Sequence, residues 1–481
     1  MAMSIATLTL VIIGLYLLLL QGVSYLANRL SQQTVEDFFV AGRNTGTIAL
    51  MGTIVATKVN ALALTTSPAF IYEGGILFLQ TLIALIVSCG LFVYFGPQIW
   101  AVCKENNFLT QGELFGYYYR SPWIARLTTI LGILSIFPFL IVQFIAVAKV
   151  FSIATDQVIS YPLAIGILAL ATALYVFLGG ARAVIWTDVV QGIFLFVLIL
   201  VTAILFTHWA GGYRQGWESL TQLIPEKLTF NAENTPVFWD QVLSWSFAFF
   251  LWPQVFQRVM MGKSVKVITI AAWGHFAIGF IVKIALLTIG IMATAALYGQ
   301  ITDSDQLVAA MFNRHWPIGG CLVTLAVFAC GMSTIDSILL TLSSMITRDV
   351  VEPIFPMKLT EQQEYRLAQV VSLVTLGVAC LFALSPLGRG YLAPLVTLGA
   401  TFATLLLWPL LGMFSWKNAT PAGVMTTLMV GTVTVGALPL LPHTWQEHLP
   451  WGHATIVFGV SLVTFFVVSQ VTQPQIEKEL S

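Results

Sequence analysis

Long runs of apolar residues follow one another along almost the whole of this chain. A helix needs ~20 mostly apolar residues to cross the hydrocarbon core of a bilayer. Hydrophobic residues make up 58% of the 481 residues and charged residues only 9%, whereas soluble domains carry roughly 25% charged residues. The sequence therefore predicts an all-α polytopic membrane protein that crosses a lipid bilayer many times.

Thirteen segments have the length and composition of spanning helices. The segments between them are short, and no stretch is left over for a soluble domain. We therefore expect residues 1–481 to form a single membrane domain. The predicted spans lie near residues 5–26, 46–73, 76–102, 122–150, 158–178, 183–208, 239–258, 267–298, 318–346, 366–386, 390–413, 420–441 and 452–472.

The placement of Lys and Arg predicts the orientation, because these residues are enriched in short cytoplasmic loops. We test an arrangement with the N-terminus outside. The loops and the tail that then face the cytoplasm hold Arg29, Arg43, Lys104, Arg120, Arg126, Arg182, Arg258, Lys263, Lys266, Arg348, Lys358, Arg366, Lys417 and Lys478. The outside loops hold only Arg214, Lys227, Arg314 and Arg389. The sequence thus predicts an N-out, C-in protein.

Charge and motif content exclude several classes of function. The formal net charge is +0 and no basic block is present, so nucleic acid is not a predicted partner. No nucleophile motif, His/Asp cluster or P-loop is present, so the chain is not predicted to be an enzyme. The five cysteines are scattered without a CxxC pair, which predicts neither a metal cluster nor a disulfide framework. No cofactor is expected apart from a coupling ion.

Four motifs in one order identify a family. They are FFVAGRNTG (38–46), GGARAVIWTDVVQG (179–192), LWPQVFQRVMMGKS (251–264) and ACGMSTIDSILLTLSSMITRDV (329–350). Together they resemble the sodium/solute symporter family, which includes the proline permease and the sodium–glucose cotransporters. The predicted helix count and orientation also match the bacterial members of that family.

The resemblance implies a LeuT-type fold of two inverted five-helix repeats. These would cover 46–208 and 239–413, with an extra N-terminal helix at 5–26 and two C-terminal helices at 420–472. The first helix of each repeat would be broken at the membrane midplane, and Pro68 and Pro253 agree with such breaks. Breaks expose carbonyl groups and helix ends that bind ions and polar solutes. The implied function is secondary active transport of a small organic solute by alternating access. The implied location is the cell inner (plasma) membrane, as a multi-pass protein.

The resemblance also implies a sodium site between the first broken helix and the helix of the fourth motif. The carbonyl groups of Ala56, Val59 and Cys330 and the hydroxyl groups of Ser333 and Thr334 would be its ligands. Carbonyl and hydroxyl oxygens suit a hard monovalent cation. The alternative is that the two hydroxyl groups only bond back to the preceding helical turn, as Ser and Thr commonly do.

Lys58 departs from the family pattern at this place, and three interpretations remain open. At ~1.5 Å per residue its Cα lies roughly 18 Å inside the membrane, so snorkelling to the interface fits poorly. Lys58 would otherwise bind an anionic group of the substrate. In the third interpretation its ammonium group, paired with Asp188 on the sixth helix, replaces the sodium ion, because intramembrane charges usually pair. Transport would then be sodium-independent or proton-coupled; otherwise sodium occupies the five-ligand site.

The substrate is predicted to be a small amino acid or carboxylate, because lysines lie in the spanning segments. A conventional sodium-coupled symporter is the alternative function, and a transporter-like sensor acting with a partner protein is an alternative of another class. No oligomeric state is predicted. The residues expected to contact the solute, from their positions in the implied fold, are Asn60, Thr65, Thr66, Gln80, Gln143, Ser244, Ser246, Lys283, Thr397 and Thr401.

Overall fold

The structure is a computed structural model that describes residues 4–29, 31–59, 63–354, 359–386, 392–442, 444, 449 and 451–473. Within these ranges the chain is helical, and its β-structure is confined to an isolated bridge between Thr45 and Gly262. The first half contains α1 (Ile5–Asn28), α2 (Val35–Val40), α3 (Thr47–Lys58), α4 (Thr66–Gly74), α5 (Gln80–Glu105), α6 (Gln111–Tyr118), α7 (Pro122–Ala154), α8 (Tyr161–Trp209) and α9 (Tyr213–Leu223).

The second half begins with the connection that follows α9. Its helices are α10 (Asn234–Leu251), α11 (Pro253–Met261), α12 (Val265–Leu297), α13 (Leu307–His315), α14 (Gly319–Met345), α15 (Glu361–Leu384), α16 (Leu392–Thr404), α17 (Leu407–Phe414), α18 (Pro421–Ala437) and α19 (His453–Val471). Short 3₁₀ turns lie at Ala41–Arg43, Gly75–Leu79, Pro225–Leu228, Ser304–Gln306 and Leu438–Leu440.

The lengths of these helices match a polytopic membrane protein. Ten helical segments of the described chain are long and apolar enough to cross a membrane. The remaining predicted spans, near 46–73, 158–178 and 239–258, correspond to shorter or interrupted helices. Outer helices such as α1 present exposed leucines, including Leu15 and Leu18. An apolar surface of this kind is what the lipid of a bilayer covers.

Both expected helix breaks are present. After α3, Val59 leaves the helical conformation, with φ −88° and ψ 89°, and α4 begins only at Thr66. Between α10 and α11, Trp252 has φ −53° and ψ 127°. The second break has a local cause, since Pro253 disfavours the helical conformation in the residue before it. Pro68 lies in the first turn of α4, where a missing N–H group removes no helical hydrogen bond.

A third interruption divides α8. Gly180 has φ 50° and ψ −142°, a conformation that residues with a side chain rarely adopt. A Cβ atom at this position would come within 2.6 Å of the Phe38 ring on α2. The bend separates a segment at Tyr161–Phe177 from a longer one at Gly179–Trp209.

The helix α14 forms the centre of the molecule. Almost all of its side chains are buried, and it packs against α3, α7, α8 and α15. Beyond Met345 it continues into a π-helical segment, Ile346–Val351.

A charged cluster at the end of α14 ties three helical regions together. The Arg348 guanidinium lies 3.0 Å from a Glu113 oxygen on α6, 2.7 Å from Glu364 on α15 and 3.2 Å from Glu352. The neighbouring Asp349 accepts hydrogen bonds from the hydroxyl groups of Thr110 and Thr129, at 2.8 and 2.7 Å. The cluster thereby attaches α6 to the segment that continues α14 and to the first turns of α15.

Candidate functional site

The break after α3 leaves carbonyl groups that need partners from outside the helix. The last carbonyls of any helix have no partner within it, and α3 ends at Lys58. The Ser333 hydroxyl on α14 donates a hydrogen bond to the Ala56 carbonyl oxygen at 3.1 Å. This contact joins two helices that are 277 residues apart in sequence.

Four of the five residues expected at the ion site lie together here. The Cys330 carbonyl oxygen accepts hydrogen bonds from the hydroxyl groups of Ser333 and Thr334, both at 3.0 Å. Ala56, Cys330, Ser333 and Thr334 are all fully buried. We call these four residues the oxygen cage. The back-bonding foreseen as the alternative is therefore present, but Ser333 also reaches across to α3.

The fifth expected ligand, Val59, is the first residue after α3. It lines a cavity together with the side chain of Lys58. The donors of the oxygen cage are carbonyl and hydroxyl oxygens without a carboxylate, a set of hard ligands that fits a small monovalent cation. The residues present thus fit the sodium ion that the family pattern implies.

The predicted pairing of Lys58 with Asp188 is wrong. The Asp188 carboxylate accepts a hydrogen bond from the Thr53 hydroxyl at 2.5 Å and lies 3.6 Å from the Arg258 guanidinium. The Lys58 ammonium instead donates to the Ser88 hydroxyl at 2.9 Å and contacts His275 Nε2 at 3.0 Å. The reason lies in the helix: at ~100° per residue, positions 53 and 58 are about 140° apart around α3.

Arg258 is the true partner of Asp188, and its expected place in a cytoplasmic loop is also wrong. It lies on α11 with a fully buried side chain. Its guanidinium donates to the hydroxyl groups of Thr53, at 3.3 Å, and of Ser337. The Ser337 hydroxyl is 3.0 Å from that of Thr57, so this network holds α3, α8, α11 and α14 together.

Lys58 lines a cavity of about 50 Å³ beside the first helix break. Lys283 and His275, both on α12, line the same cavity, as do Ser88 of α5 and Phe249 of α10. Aliphatic side chains form most of the remaining wall. Two lysines therefore border one small, largely apolar space, which we call the lysine cavity.

Comparison with known proteins identifies the family. The family model described as "Sodium:solute symporter family" matches residues 38–431. The chain belongs to this family. It is similar to a sodium/pantothenate symporter of Haemophilus influenzae, at 24% identity over 465 residues and 92% of each chain. It is also similar to a sodium/proline symporter of Salmonella typhimurium, at 25% identity over 90% of this chain and 88% of the relative.

Solved structures agree at the level of the fold. A Na⁺-coupled sialic acid symporter, in a substrate-bound outward-open state, superposes with a TM-score of 0.81 and 18% identity over 100% of this chain and 99% of that one. MhsT in complex with L-phenylalanine gives a TM-score of 0.58 at 14% identity, covering 88% of this chain and 98% of that one. The fold is that of the LeuT-type transporters. This symporter-family chain is a secondary transporter of small solutes and not an enzyme.

A second cavity holds two of the residues expected to contact the solute. It has a volume of about 610 Å³ and is lined by Ser244 and Trp245 of α10, Phe70 of α4, Thr397 of α16 and Trp451. Ser244 is buried, and its hydroxyl has no hydrogen-bond partner among the described residues. We call this space the vestibule.

The other expected solute contacts of the transporter are dispersed. Lys283 lines the lysine cavity, whereas the Thr66 hydroxyl donates to Asp305 at 3.3 Å and the Thr401 hydroxyl to the Thr397 carbonyl at 2.9 Å. Asn60 lies outside the described residues. Residues that line neither the lysine cavity nor the vestibule are Thr65, Thr66, Gln80, Gln143, Ser246 and Thr401.

Three features of the site were not predicted from the sequence. They are the contacts of Ser88 and His275 with Lys58 and the burial of Arg258. His275 lies eight positions before Lys283 in an apolar segment. Eight residues are a little over two helical turns, so both side chains lie on one side of α12. Two polar residues at this spacing in a spanning helix are the sequence signal from which the lysine cavity could have been predicted.

Proposed function

We propose that this transporter couples the uptake of a small organic solute to sodium, with the ion bound at the oxygen cage. The observation that carries the proposal is the 3.1 Å contact between the Ser333 hydroxyl and the Ala56 carbonyl, which brings ligands from two helices to one point. Ser333 and Thr334 would turn their hydroxyl oxygens towards the ion. The carbonyl groups of Ala56, Cys330 and Val59 would supply the remaining oxygens.

The contacts of Lys58 support sodium coupling over replacement of the ion by the ammonium group. Lys58 donates to Ser88 and contacts His275, away from the carboxylate that was expected to accompany it. Asp188 is neutralised by Arg258 instead. Lys58 and Asp188 are therefore not paired with each other. The ligands that we propose for sodium remain the oxygen atoms of the cage.

Coupling follows from the position of the proposed ligands on two helices. An ion bound to both favours conformations in which α3 and α14 are in contact, in proportion to its differential affinity for those conformations. Loss of the ion removes that bias and lets α3 move away from α14. The solute and sodium then influence each other's binding by the same factor.

The test is solute uptake by the purified protein in proteoliposomes, driven by a sodium gradient or by a proton gradient. We expect sodium to drive uptake. Ser333→Ala and Thr334→Ala should each raise the half-saturating sodium concentration roughly 10-fold, the loss expected for a hydrogen-bonding group at a charged ligand. Ser343→Ala is the matched control, because Ser343 is buried on the same helix but contacts Ser372.

Uptake driven only by the proton gradient would contradict sodium coupling, as would identical sodium curves for Ser333→Ala and Ser343→Ala. Uptake by the purified protein alone separates a transporter from a sensor that acts through a partner protein.

We further propose thirteen crossings with the N-terminus outside, repeats at 46–208 and 239–413, and a place in the inner membrane. Thr229 precedes α10 on the predicted outside, and Gln363 opens α15 on the predicted inside; both are exposed. In intact cells an impermeant maleimide should label a cysteine at 229 and spare one at 363. The reverse labelling would contradict the orientation. Four of the five native cysteines are buried, which keeps the background low.

A further inference from the structure

The lysine cavity carries more positive charge than its described surroundings neutralise. Among the described residues, the hydrogen-bond contacts of the Lys58 ammonium are Ser88 and His275, both neutral acceptors, at 2.9 and 3.0 Å. Its nitrogen also lies 6.0 Å from the centre of the Phe249 ring. Lys283 makes no hydrogen bond or ion pair with any residue in the described ranges. Charges at membrane depth normally pair with opposite charges, because isolation there costs several kcal/mol.

His275 adds a further donor to this cavity. An ammonium group can only donate, so His275 Nε2 accepts from Lys58 and the ring proton lies on Nδ1. His275 is 2% exposed, and Nδ1 has no partner among the described residues. The residues that line the cavity thus include two lysines with ammonium groups and a histidine with a buried N–H group. These are the groups that bind a carboxylate through charge-assisted hydrogen bonds.

We propose that a carboxylate group of the transported solute binds in the lysine cavity, between Lys58 and Lys283, with His275 as an additional donor. This inference rests on the proposed transport function, since it names the chemical class of the solute that the transporter carries. A solute that lacks the carboxylate would leave both ammonium groups without a counter-charge. Sites that leave buried polar groups unpaired reject such analogues strongly.

The size and lining of the cavity narrow the class of solute. A water molecule needs about 10–15 Å³ of such space, so the 50 Å³ cavity admits a few non-hydrogen atoms and not a large molecule. Val55, Leu85 and Val282 line it, which favours an apolar group next to the carboxylate. Val59 and Ala63, in the break between α3 and α4, also line the cavity. The preferred solute is therefore a short monocarboxylate.

The experiment measures the thermal unfolding midpoint of the purified full-length protein at constant sodium concentration and ionic strength. The probes are short monocarboxylates, with and without a 2-amino, 2-hydroxy or 2-oxo group, each matched with its primary amide. We expect at least one carboxylate to raise the midpoint and its amide to leave it unchanged. Lys58→Met and Lys283→Met should each weaken the carboxylate affinity roughly 10- to 100-fold, as loss of a charge-assisted hydrogen bond does.

Two further variants make the result specific. Lys149→Met is the matched control, because Lys149 lies on α7 and does not line the cavity; it should keep the full carboxylate response. Lys58→Arg retains the positive charge and should keep the carboxylate response that Lys58→Met loses. It remains informative about the role of the charge if Lys58→Met folds poorly.

Four outcomes would overturn the inference. Three of them are an equal response to acid and amide, a carboxylate response that survives in both methionine variants, and a panel without any response. Stabilisation by chloride alone, dependent on Lys58, would also overturn it in favour of an inorganic anion. Sodium-dependent stabilisation that Ser333→Ala removes reports on the proposed function separately, so either proposal can fail without the other.

Discussion

Two positively charged regions of the membrane core are built in opposite ways. Around Arg258, which is fully buried, the chain supplies the Asp188 carboxylate and the hydroxyl groups of Thr53 and Ser337. Around Lys58 and Lys283 the described residues supply only neutral acceptors for one lysine and none for the other. Both regions touch α3, yet among the described residues only the region around Arg258 contains its own counter-charge.

The difference separates structural charge from charge directed at a ligand. A buried cation with an internal partner is neutral as a unit, and it fixes the helices that carry the two groups. A partly buried cation at membrane depth without such a partner is electrostatically unfavourable until an anion binds. Its stabilisation therefore comes in the bound state. Local conflicts of this kind are expected where a site binds something from outside the fold.

The largest expected effect is the loss of the Arg258 counter-charge. Asp188→Asn keeps the shape of the side chain but leaves a buried guanidinium unpaired, which should lower the free energy of unfolding by about 3–5 kcal/mol. Unfolding in mixed micelles titrated with SDS measures this. The double variant Asp188→Asn/Arg258→Met should recover much of the loss, and a single variant within about 1 kcal/mol of the native protein would break the comparison.

A smaller effect is expected at the charged cluster beyond α14. The Arg348 side chain is 26% exposed and pairs with three glutamates. Arg348→Met leaves those carboxylates facing one another and should cost roughly 1–3 kcal/mol after discounting for solvent. Choline chloride should reduce the loss because it screens the repulsion. A loss that is the same at low and high salt would count against the electrostatic explanation.

Removal of the Lys58 charge should change stability little, in contrast to Asp188→Asn. The lost hydrogen bonds to Ser88 and His275 are offset by the removal of an unpaired charge, so Lys58→Met should lie within about 1 kcal/mol of the native protein without solute. The same SDS titration measures it. A loss near that of Asp188→Asn would show that Lys58 is structural.

The smallest effect is expected outside the membrane core. Arg214 and Glu218 form an ion pair one turn apart on α9, and the arginine side chain is 92% exposed. Arg214→Ala should cost no more than about 0.5 kcal/mol, since exposed pairs of this spacing contribute little. Arg214→Ala serves as the baseline of the four stability measurements. A larger loss of unfolding free energy would indicate that the exposure of a charged group does not determine how much its removal costs.

Much of the fold is predictable because the bilayer fixes the length of each apolar run. The second helix break was predictable from Pro253, which acts on the residue beside it. The motifs also indicated that Ala56 and Ser333 would lie close together, because backbone positions follow from helix register once the motifs are aligned. Ion binding at the oxygen cage stays a prediction. Each of these features depends on the local sequence or on the thickness of the bilayer.

The partners of the buried charges were not predictable in the same way. The predicted pairing of Lys58 with Asp188 followed from the cost of an unpaired charge in the membrane, but the cation beside Asp188 is Arg258. Arg258 was expected in a loop at the end of a helix. Counting basic residues does not distinguish such a residue from one that is buried in a short helix after a break. Ser88 and His275 belong to no motif, so only three-dimensional packing brings them to Lys58.

The π-helical segment Ile346–Val351 has a consequence for insertions and deletions. Its wider turn holds one more residue than an α-helical turn, so everything after it is rotated relative to the oxygen cage on the same helix. Arg348 lies within this segment, so deleting residue 346 or 347 would rotate it by about 100° relative to Glu113 and Glu364, which lie on other helices. The wide turn changes the helical register, so one continuous helix directs the Ser333 hydroxyl towards α3 and the Arg348 side chain towards α6 and α15.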